Sequence, residues 1–72
     1  RVRLAAEQPT GVCAVSEVKV RWLGHRARAE VEVTVDPTLA AGPAHDLADA
    51  VAARVREEAP EVKEVAVRTF PA

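Results

Sequence analysis

Ten lysines and arginines against eleven aspartates and glutamates give this 72-residue chain a formal net charge of -1, so its overall charge recommends neither a nucleic acid nor an anionic membrane as a partner. Nearly half of the residues are hydrophobic, but they are mostly Ala and Val, and one Trp and one Phe offer no stacking surface for bases. One domain is the most that this length can build, the single cysteine excludes an intrachain disulfide, and no apolar run approaches the roughly 20 residues that span a bilayer.

Residues 1–9, RVRLAAEQP, read as the last turns of a helix, with Val2, Leu4 and Ala5 as a partial apolar face and Pro9 and Gly11 as its stop. The chain starts on Arg1 and reads as a domain of something longer, with residues 1–10 the tail of a preceding helix. Residues 15–22 alternate: Val18, Val20 and Trp22 point one way, Glu17, Lys19 and Arg21 the other, as in a half-buried strand. Residues 27–35 repeat the pattern, with Ala27, Ala29, Val31, Val33 and Val35 inward. Leu23-Gly24-His25-Arg26 is the turn between them, so the two segments predict a hairpin with one wet face.

Asp36-Pro37 stops the second strand. A helix is expected from about Ala41 to Ala59, because Ala44, Leu47, Ala48, Val51, Ala52, Val55 and Ala59 recur at helical spacing. Pro43 is tolerated in its first turn and Pro60 ends it. A last strand runs from Val62 to Thr69, with Val65 and Val67 on one face. Strands on either side of a helix run parallel with a right-handed crossover. The predicted fold is therefore α+β, a truncated ferredoxin-like (α)ββαβ unit with a three-stranded mixed sheet and helices on one face.

The sequence carries no nucleophile–base pair, no Ser/His/Asp set in a workable order and no phosphate loop, so it does not read as an enzyme. A core built of Ala and Val is thin for independent stability and points to a homodimer.

The order Gly11-Val12, Glu17-Val18-Lys19-Val20-Arg21, Gly24, Val31-Glu32-Val33-Thr34-Val35-Asp36-Pro37, Ala44-His45-Asp46-Leu47-Ala48-Asp49, Ala59-Pro60, Val65-Ala66-Val67 and Pro71 resembles the cytoplasmic C-terminal domain of cation diffusion facilitator transporters, the zinc and cation efflux family. The resemblance runs from about Gly11 to Pro71. It implies a metallochaperone-like fold, a homodimer, zinc or a related divalent cation bound near the dimer interface, and a location on the cytoplasmic side of the cell membrane beneath the protein's own transmembrane domain. The chain also departs from the family pattern. Ser16 stands where a histidine often precedes the acidic residue of the first strand, and Glu32 where another is common. The end reads Arg68-Thr69-Phe70-Pro71 in place of His-x-Asp/Glu-Pro. These departures imply a reduced metal site.

His45 and Asp49 lie one helical turn apart, either a metal-binding pair or a solvated pair near the helix start. Pairing Val20 with Ala29 and Val18 with Val31 sets Glu17 opposite Glu32; facing carboxylates either share a cation or reach separately into water. Cys13 reads as a small buried apolar residue rather than a soft ligand. His25 is a solvated turn residue. Trp22 and Phe70 are candidate dimer contacts, with packing at home as the alternative. Against a regulatory domain of a cation efflux transporter stand two other readings. One is a free-standing ferredoxin-like metal carrier, which would normally present two close thiolates. The other is a small-molecule sensor, which would need a glycine-rich loop that three glycines do not supply.

Overall fold

The computed structural model describes Arg1 to Ala72. Its elements follow the order α1 Val2–Glu7, β1 Val12–Leu23, β2 Arg26–Val35, α2 Ala41–Glu58 and β3 Val62–Pro71. Strand β2 is central, antiparallel to β1 and parallel to β3, so the sheet is mixed and has the order β1-β2-β3. This is the expected truncated ferredoxin-like arrangement. Both helices lie on one face, where Ala27, Ala29, Val31, Val33 and Val35 of β2 are buried against Leu47, Val51 and Val55 of α2. The other face of the sheet is uncovered.

The central register is the one that the apolar pattern demands: Val20 pairs with Ala29, Val18 with Val31, Lys19 with Glu30 and Glu17 with Glu32. A slip of one residue would turn five buried side chains of β2 into water. Strand β1 nevertheless begins three residues before the sequence suggests. Val12, Val15 and Val18 all lean on the core, yet they are spaced by three, which no strict alternation allows. Register shifts between Val12 and Ala14 and between Val15 and Glu17 each insert one extra residue and restore the parity. Those extra residues are Cys13 and Ser16. Cys13 is therefore exposed, not buried as expected from its type.

At the far end of β1 the hairpin closes through Gly24 and His25. Gly24 takes φ 69°, the positive value that the first position of a two-residue II′ turn requires. Strand β3 runs two residues past Thr69 to Pro71, and the Ala72 N–H donates to the Val35 carbonyl at 2.8 Å. Pro71 is compatible with pairing because β3 is an edge strand.

The core is thin. Its 13 buried residues are alanines, valines and the single Leu47, and none is polar. Val18, Val20 and Trp22 have the inward parity expected of them, but the helices do not reach them all. Val20 is 42% exposed and Trp22 57%. Trp22 thus is not packed at home, in contrast to one of the two alternatives for it.

The candidate metal and dimerisation surface

The open face of the sheet is a grid of cross-strand rows. Glu17, Glu32 and Arg68 form one row; Lys19, Glu30 and Ala66 the next; Arg21, Arg28 and Glu64 the third. At the opposite end Ala14, Thr34 and Phe70 share a row, and the Thr34 hydroxyl donates to the Ala14 carbonyl at 3.4 Å. Ser16, carried outward by its bulge, donates to the Glu32 carbonyl at 3.1 Å and pins β1 to β2 beside the two carboxylates.

Glu17 and Glu32, directly opposite one another, line a shallow groove of about 260 Å³ with Lys19, Arg28, Glu30 and Arg68. Arg28 is engaged: it meets Glu64 at 2.8 Å and Glu30 at 3.6 Å. Arg68 stands beside Glu32 in register, and its guanidinium lies 5.7 Å from the centre of the Phe70 ring. The groove thus gathers carboxylates and fixed cations together. Arg68 therefore places a fixed positive charge in the row of Glu17 and Glu32.

His45 and Asp49 sit elsewhere. They project from the second and third turns of α2, in the helical layer, with His45 Nε2 3.4 Å from the Asp49 carboxylate. Both side chains are largely exposed. No group of three or more His, Cys, Asp or Glu side chains comes together anywhere in the chain. The expected donors therefore form two separate pairs, Glu17 with Glu32 and His45 with Asp49. Zinc ordinarily takes three or four protein ligands, or three and a water, so neither pair in one copy fits a resident metal.

Trp22 and Phe70 are far apart. Trp22 pairs with Ala27 at the hairpin end and faces the helical side; Phe70 pairs with Thr34 near the other end and faces the open side. They do not belong to one patch. Phe70 shares a groove with Val35, Asp36, Pro37, Leu39, Ala44, Thr69 and Pro71, and His45 is the next residue along from Ala44. Periodicity could not reveal this apolar end, because Leu39 and Pro37 lie in the loop between β2 and α2.

That loop is ordered by Asp36. Its Oδ1 accepts hydrogen bonds from the Thr38 N–H at 2.8 Å and the Thr38 hydroxyl at 2.7 Å. These bonds, the hydroxyl's first, hold the Asp36 carboxyl below its ordinary pKa of 3.8. The Asp-Pro-Thr sequence signalled a strand stop; the side-chain turn that carries the chain into α2 is the part it concealed.

The family described as the cytoplasmic domain of cation efflux proteins matches residues 1–71. Probable cation efflux system proteins from two strains of Mycobacterium tuberculosis are 36% identical over 72 residues, a match that takes in 94% of this chain and 22% of theirs. The chain thus spans about a fifth of the length of those relatives. Among solved structures, the MamM CTD superposes with a TM-score of 0.95 at 27% identity, covering 99% of this chain and 90% of that one. An Asp-to-Glu variant of the same domain, described as a cadmium form, superposes equally well at 28% identity, covering 99% of this chain and 89% of that one. A further variant, described as a nickel form, is 27% identical with a TM-score of 0.95, over 99% of this chain and 90% of that one.

Proposed function

The chain belongs to the family of cation efflux protein cytoplasmic domains, and on that premise we propose that it is the regulatory and homodimerisation domain of a divalent-cation efflux transporter. The family is one of transporter domains rather than of enzymes. The observation that carries the reading is that the family match takes in nearly the whole chain, including every element of the fold. In the parent protein this domain would lie on the cytoplasmic side, below the transmembrane domain that moves the ion. Two copies would meet at the Phe70 end of the open sheet face, where Leu39, Phe70 and Pro71 are apolar and uncovered.

The metal response of this member is reduced. Each copy offers two donor pairs, and a second copy must supply the rest of any coordination shell. Arg68 already places a positive charge in the row of Glu17 and Glu32. Cadmium and nickel forms of the MamM CTD support divalent-cation binding in the wider family; for this chain the same chemistry gives weak occupancy. The lone cysteine argues against the free-standing carrier, which needs a pair of soft ligands.

Calorimetric titration with zinc tests this reading. Wild type should bind weakly, and His45→Ala should weaken it further. Arg68→His, which removes that fixed charge and adds an imidazole beside Glu32, should bind zinc more tightly than wild type. Tight binding unchanged by His45→Ala, or no gain from Arg68→His, would contradict the assignment.

A further inference from the structure

The hairpin end has a character of its own. The inward stripe of β1 runs past α1, and Val18, Val20 and Trp22 line an open groove with Val2, Arg3 and Val62. Leu23, on the other side of the strand, is 58% exposed. The tip therefore presents apolar side chains on both faces, which a two-residue turn does not require.

Charge at this end is one-sided. Glu61 is engaged by Arg1 and Glu64 by Arg28, while Glu57 and Glu58 at the close of α2 are met by Arg54. Arg21 and Arg26 have no carboxylate partner, and Arg3 spends its guanidinium on the Val15 carbonyl at 2.6 Å. Arg21 pairs with Arg28 across the strands, but Arg28 is already met by Glu64 and Glu30, so those carboxylates are spent and Arg21 keeps its charge free. The net charge of -1 hides this polarity, because attraction to a surface depends on the charges that reach it and not on the sum over the chain.

We propose that the β1–β2 hairpin tip docks on an anionic phospholipid surface, with Trp22 and Leu23 entering the headgroup layer and Arg21 and Arg26 on lipid phosphates. Indole rings favour that layer, guanidiniums pair with phosphate oxygens in forked geometry, and the leaflet's negative potential holds them. A second copy of the chain is a poorer occupant. A two-fold contact through this patch would bring Arg21 and Arg26 of both copies together. The inference stands on the tip alone and does not require the transporter reading.

Trp22 is the only tryptophan, so its emission reports on this site directly. The chain is titrated with vesicles of phosphatidylglycerol and phosphatidylcholine, and separately with phosphatidylcholine alone. The expected result is a blue shift with the anionic vesicles only, reversed by high salt. The double variant Arg21→Glu, Arg26→Glu should partition at least roughly tenfold more weakly. Arg21→Gln, Arg26→Gln should fall between the two, and circular dichroism identical to wild type shows that both remain folded. No shift with anionic vesicles, or an equal shift with neutral ones, overturns the proposal. So does a shift that grows with protein concentration in the absence of lipid, which assigns the patch to a second copy. A shift with polyglutamate but not with vesicles assigns it to an acidic protein and likewise overturns it.

Discussion

Asp36 is the residue whose ionisation couples most directly to the fold. Its carboxylate holds both donors of Thr38 and is fully exposed. Because its folded pKa lies below the ordinary 3.8, its contribution is complete above that value and is lost as pH falls through the lower folded pKa. Asp36→Ala should therefore lower the melting temperature near neutrality, and the difference from wild type should shrink below pH 3.8 and vanish at lower pH. Melting curves collected across that range check the sign; a difference that widens on acidification would contradict it. At the same scale, Arg68 is the residue that most separates this surface from a metal centre. Its charge sits in the row of the two facing carboxylates, Glu17 and Glu32.

Among the elements, β1 depends most on detail. Two bulges let valines spaced by three share one side, and Gly11 feeds the strand with φ 107°. The positive φ disfavours a side chain at Gly11, and a Cβ there would come within 3.2 Å of Leu47 Cδ2 in α2, which would have to give by a few tenths of an ångström. Gly11→Ala should cost about 2 kcal/mol or more, lowering the melting temperature by roughly 10 °C. A shift of only a degree or two would show that β1 and α2 pack less closely than described. The hairpin register, the span of α2 and the parallel crossover were all legible in the sequence, because strict alternation in 27–35 and a helical stripe from Leu47 to Ala59 admit one arrangement. The bulges were not, since each breaks the very period by which a strand is recognised. Exposure of Cys13 followed from the first bulge and was hidden with it. The candidate donors were legible as two pairs, and so was the facing of Glu17 and Glu32. Their separation from His45 and Asp49 was not, because it depends on which layer each element joins. The distance between Trp22 and Phe70 likewise became visible only once β1 and β3 were placed at opposite edges of the sheet.

As a whole, the molecule is an elongated body of 40 × 18 × 18 Å with one covered sheet face and one bare one. Only 13 of its 72 residues are buried, and the largest fully buried side chains are valines. Such a core supplies little beyond the entropy that folding costs, and a shared surface is the usual remedy at this size. We therefore propose that self-association precedes metal, with the Phe70 end supplying apolar contact and a cation adding little. Sedimentation equilibrium over the micromolar range, with a chelator present and then with zinc, tests this most directly. A dimer in chelator, tightened only slightly by zinc, is the predicted result. A monomer at every concentration in both conditions, or a dimer that forms only with zinc, would contradict it.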